Sequence, residues 1–113
     1  MRTRLGLILL AIALTGCASQ ADKDLEAVKS ARSVLAEWAL VERQGADGRA
    51  PGRYVMQMRK LARDRLATAK SALAHREDAV RTLDRVTQGQ PDPAALMRAR
   101  TALGALESGL ESS

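Results

Sequence analysis

Few side chains in this 113-residue chain could do chemistry, and they are thinly spread. There is one cysteine, Cys17, and one histidine, His75. A lone imidazole has no second one to share a metal with, and no Ser-His-Asp or Cys-His grouping is signalled. Glu77, Asp78 and Asp84 could pass for paired carboxylates, but Arg81 stands four residues after Glu77 and three after Asp78. Those are the spacings of ion pairs on a helix surface, worth a few tenths of a kcal/mol (~0.2–0.5). His75, beside Arg76 and Glu77, reads as a helix-surface residue. No glycine-rich phosphate loop follows a strand. The expectation is a non-enzymatic protein with no catalytic group, no metal and no small-molecule substrate.

Cys17 is set apart by what precedes it. Arg2 and Arg4 make a short positive start, and residues 5–14 (LGLILLAIAL) are an apolar run relieved only by Gly6. A bilayer span needs about 20 apolar residues; a run of this length suits the hydrophobic region of a secretory signal. Leu14-Thr15-Gly16-Cys17 then resembles the lipobox of bacterial lipoprotein precursors. The resemblance covers about the first 20 residues. It implies a cleaved signal peptide over residues 1–16, a diacylglyceryl group on the Cys17 sulfur, an acylated new amino group and a short tether over residues 17–21. The covalent lipid on Cys17 would be the only non-protein group. Each buried methylene contributes about 0.8 kcal/mol and one acyl chain anchors only marginally, so two or three are needed to hold a protein on a membrane. Ala18 and Ser19 follow the cysteine, where lipoproteins retained in the inner membrane commonly carry Asp. The resemblance therefore implies an outer-membrane location facing the periplasm.

The elements that would carry these residues are helical. Two breaks punctuate the rest of the chain: residues 45–52 (GADGRAPG) and residues 88–93 (QGQPDP). Between them Ala, Leu, Arg, Glu and Lys dominate, all good helix formers. The pattern predicts helices over about residues 22–44, 52–88 and 93–110, within one helical domain of residues 22–113. Asp22, Asp24 and Glu26 suit the start of the first helix, Gly45 a left-handed stop after it, and Asp92-Pro93 an N-cap and first turn. Apolar stripes follow at helical spacing: Leu25, Val28, Ala31, Leu35, Trp38; then Val55, Met58, Ala62, Leu66, Ala69, Leu73, Val80, Leu83; then Leu96, Ala99, Leu103, Leu106, Leu110. Arg76 and Glu77 interrupt the second stripe.

The predicted fold class is all-α: an elongated antiparallel three-helix bundle, or a helical hairpin plus a third helix, after a cleaved signal peptide. Pairing Val28 with Ala69 and Leu35 with Ala62 sets large side chains against small ones and puts Trp38 near Val55 and Met58. Because the middle helix would be nearly as long as the other two together, much of it would have a single neighbour. That thin rod predicts an envelope protein partner or self-association.

Charge is uneven. The whole chain carries +5, but residues 43–70 alone carry +6, against −2 for residues 17–42 and −1 for residues 71–113. Arg53, Arg59, Lys60 and Arg63 are the candidate partner-binding residues in that block, which a tethered first helix would carry away from the membrane. Nucleic acid is not an expected partner, since beyond the signal the aromatic residues are Trp38 and Tyr54 alone. The function expected is a structural or accessory interaction module in the cell envelope. The alternative is a binding module for an anionic envelope polymer, lipopolysaccharide or peptidoglycan, through the basic 43–70 segment.

Overall fold

In the computed structural model the backbone is described for residues 2–112 and the side chains for residues 20–112. Cys17 and the boundaries at residues 16 and 17 lie outside the described side chains. The described residues form four helices: α1 (Arg2–Ala46), α2 (Gly52–Ala72), α3 (Glu77–Thr87) and α4 (Pro93–Glu111). The chain is all-α, and the helix expected over residues 52–88 is two helices.

Ion pairs and hydrogen bonds set the directions. Glu42 meets Arg59, Glu37 meets Arg65 and Asp24 meets Arg76, so α2 runs antiparallel to α1, within a turn of the expected register. Lys70 meets Asp84 while Arg63 reaches the Gly89 carbonyl, so α3 turns back along α2. Arg32 bonds the Arg100 carbonyl and Glu107, placing α4 beside α1. α1 packs on α2 and α4, and α3 packs on the same two, so α1 and α3 stand diagonally across the shared core. The result is an up-down-up-down four-helix bundle.

Its core holds most of the predicted stripes, with Leu25 and Met58 only half-buried. Val28, Ala31, Leu35 and Trp38 from α1 meet Ala62, Leu66 and Ala69 from α2, with Leu96, Ala99 and Leu103 from α4. Leu73 and the α3 residues Ala79, Leu83 and Val86 complete it. At 11 residues α3 is too short to persist alone. Burying Leu83 and Val86, at about 1.5–3 kcal/mol for each fully buried side chain, is what holds it.

The break between α2 and α3 carries no glycine or proline. Its cause is a conflict of faces. At about 100° per residue, Ala79, Leu83 and Val86 on a continued α2 would point roughly 110° away from the Ala62–Leu66–Leu73 stripe. A single straight helix cannot bury both sets against one neighbour. Ending α2 at Leu73 and placing Arg76 in an extended conformation (φ −111°, ψ 96°) buries both. Val80, assigned to the seam from its spacing, is accordingly only half-buried, and its neighbour Ala79 takes the core position. With four helices closed around one core, the thin rod with a single neighbour does not form.

Two expectations about helix ends change as well. Asp22, Asp24 and Glu26 lie inside α1 rather than at its start, and Asp24 is turned inward, where it receives a hydrogen bond from Gln20 one turn earlier. The left-handed residue after α1 is Gly48 (φ 70°), not Gly45. Gly45 serves close approach instead: a Cβ there would sit 3.0 Å from Val55 Cγ2, across the α1–α2 contact. Asp92 behaves as predicted, its carboxylate accepting from the Ala95 N–H at 2.7 Å with Pro93 opening α4.

Candidate functional site

The α1–α2 hairpin outruns α3. Arg63 lies level with Gly89, just past the end of α3, so the α2 residues before Arg63 have no α3 beside them. Val41 and Val55 are buried here but lie outside the contiguous four-helix core. At this end sit all four large apolar side chains exposed among the described residues: Leu40 (55 %), Tyr54 (43 %), Met56 (67 %) and Leu61 (40 %). The Glu37–Arg65 pair marks one edge of the hairpin. Leu40 is three residues after Glu37, Leu61 four before Arg65 and Tyr54 seven before Leu61, so helical spacing sets all three along that edge. Met56 lies on the opposite edge, one turn from Arg59.

The basic block divides in two. Arg59, Arg63, Arg65 and Lys70 are engaged within the chain. Arg43, Arg49, Arg53 and Lys60 are exposed and make no ion pair among the described residues. Of the four predicted contact residues, Arg53 and Lys60 are therefore free, whereas Arg59 and Arg63 hold the hairpin together. Arg43 and Arg49, members of the same positive block that were not among the four candidates, are the other free cations. Their signal was position, beside the glycine-rich loop at the tip.

Arg59 and Arg63 belong to a cluster around Trp38. The indole is 2 % exposed, and its N–H donates to Glu42 at 2.8 Å. Arg59 grips the same carboxylate with two N–H groups, both at 2.7 Å, the fork geometry that makes guanidinium–carboxylate pairs strong. Arg63 stands over the indole face, 5.3 Å from the ring centre, within cation–π range. Met58 lines the cleft beside Trp38, as expected, while Met56 points to solvent. Hydrogen bonds from Arg59 lower the Glu42 pKa below its ordinary 4.5, more than burial raises it, with the indole N–H adding to the effect. The same pair raises the pKa of Arg59.

A second polar cluster pins the break between α2 and α3. Asp24, 1 % exposed, accepts from His75 Nε2 and Arg76 Nε, each at 2.8 Å, and from Gln20 at 3.0 Å. His75 is therefore a partner of a buried carboxylate rather than a free surface residue. Burial raises the Asp24 pKa, but the bonds from His75, Arg76 and Gln20 together outweigh it and hold the group below its ordinary 3.8. The bonds from His75 and Arg76 to Asp24 tie the turn after α2 to α1. Arg81 pairs with Asp78, as the spacing predicted.

Both lowered carboxylates make stability depend on acid in one direction. Each contributes fully above its unfolded pKa and loses that contribution as pH falls through its lower folded value. The urea midpoint should therefore be level, on their account, from neutral pH down to the ordinary values of 4.5 and 3.8, then fall with further acidification. A midpoint that rises in strong acid would contradict this.

Among the described residues no helix is long and apolar enough to cross a membrane, and no three His, Cys, Asp or Glu side chains are grouped to hold a metal. No protein-family model, curated protein or solved structure matches the chain.

Proposed function

We propose that this chain is a small, non-enzymatic lipoprotein, tethered through acylated Cys17 to the periplasmic face of the outer membrane. It acts as an accessory module that docks an acidic face of an envelope protein on its hairpin tip. The observation that carries the reading is a coincidence of place. The uncompensated cations Arg43, Arg49, Arg53 and Lys60 share one end of the bundle with the exposed side chains Leu40, Tyr54, Met56 and Leu61. Apolar and basic groups together suit a desolvated protein contact, in which aromatic and arginine side chains supply most of the binding energy. Four cations at one tip also repel a second tip of the same kind, so the occupant is anionic.

Cross-linking in intact cells tests this. The wild-type chain should capture a protein whose contact face is acidic, and replacing Arg43, Arg49, Arg53 and Lys60 with alanine should abolish the capture while helicity and thermal unfolding stay unchanged. Undiminished capture by that variant would place the contact elsewhere. Labelled palmitate should mark the wild-type protein and leave Cys17→Ser unmarked. The free cations also support a second reading, binding to anionic lipopolysaccharide or peptidoglycan. Salt separates the two: polymer binding through charge alone collapses as ionic strength rises, whereas a contact that buries Leu40, Tyr54 and Leu61 is retained.

A further inference from the structure

α3 and α4 leave an open groove along their shared outer seam. Its lining comes from α3, α4 and the loops that precede them, with no residue of α1 or α2 among the described ones. The groove has two stretches of about 520 Å³ each, joined where Thr82 and Ala102 line both.

Its two ends carry opposite charge. At one, Arg85 on α3 and Arg98 on α4 both line the groove; both are exposed, and neither makes an ion pair among the described residues. Two guanidinium groups lining one end of a groove make that end attractive to anionic side chains. At the other end lie Glu77 and Asp78, with Asp78 almost wholly exposed and held only by the neighbouring Arg81. Arg76 is also at that end, but its charge is met by buried Asp24.

A surface that is basic at one end, acidic at the other and neutral at its centre is complementary to itself when turned end over end. We infer that the α3–α4 groove is the interface of an antiparallel, two-fold homodimer, with Glu77 and Asp78 of one copy meeting Arg85 and Arg98 of the other. The axis passes near Thr82 and Ala102. Such an interface is isologous and closes at two copies. A parallel arrangement would set guanidinium against guanidinium. The dimer leaves both basic tips free at opposite ends, so the inference does not rest on the tip's role.

Sedimentation of the full chain in detergent, with the mass corrected for bound detergent, tests the interface. The wild type should be dimeric. Arg85→Glu with Arg98→Glu should raise the dissociation constant at least tenfold, about 1.4 kcal/mol, with helicity unchanged and the urea midpoint unchanged at dilutions where both proteins are monomeric. Adding Glu77→Arg and Asp78→Arg to that variant exchanges the two ends and should restore the homodimer. That four-fold variant should not form mixed dimers with the wild type, because antiparallel pairing would then oppose like charges. A monomeric wild type, an unaffected double variant, or free mixing of the four-fold variant with the wild type would each overturn the inference.

Discussion

Trp38→Ala is expected to lower the stability of the bundle by about 3–5 kcal/mol, the range for emptying a buried tryptophan site. Three things are lost together. The indole fills space between α1 and α2 at the level where α3 ends, its N–H satisfies part of the Glu42 carboxylate, and its face carries Arg63. Arg63 in turn reaches the Gly89 carbonyl, so the loss spreads to the α3–α4 connection. Trp38→Phe separates the contributions. It keeps most of the buried volume and an aromatic face but removes the donor, and should cost about 1 kcal/mol, the usual net worth of one hydrogen bond. Urea unfolding followed by helicity measures both. A wild-type midpoint for Trp38→Ala would show that the cleft closes around the missing ring, and that the hairpin end does not depend on it.

Asp24→Ala is the second large effect, about 2–3 kcal/mol. Breaking one side of a buried ion pair is costly because the partner keeps its charge without compensation. Arg76 and His75 are partly exposed, with side chains 32 % and 49 % accessible, so water recovers some of the loss and the upper end of the usual range is not reached. The effect should be local in kind. Without the carboxylate no side-chain hydrogen bond among the described residues ties residues 73–76 to α1, and amide exchange in α3 should accelerate more than in the α1–α4 contact. Asp24→Ala should also flatten the acid limb of the stability profile. Equal acceleration across all four helices would mean that the cluster supports the whole bundle rather than the break.

These two sites show where the sequence could be read and where it could not. Trp38 lies on an unbroken apolar stripe, so its burial follows from spacing alone, as does that of Leu35, Leu66 and Leu103. Asp24 sits among acidic residues that look like the start of a helix, and only the return of the chain 51 and 52 residues later brings donors to it. The four cations proposed from charge split for the same reason. Arg59 and Arg63 differ from Arg53 and Lys60 only in which face of α2 they occupy, and periodicity identifies a face without saying what stands opposite it. Half of the free tip, Arg53 and Lys60, was therefore legible, and Arg43 and Arg49 were not singled out.

What the sequence determined by itself is the helical class, the loops rich in glycine and proline, the capped start of α4 and the identity of most core residues. Each depends on groups within a few residues of one another: backbone propensity, a cap, an apolar repeat. The number of helices, the inward turn of Asp24 and the division of the arginines into structural and free were decided by the tertiary structure. No local breaker ends α2 at Leu73. The chain turns there because two apolar sets point in different directions, and burying both requires neighbours that exist only once α1 and α4 are in place.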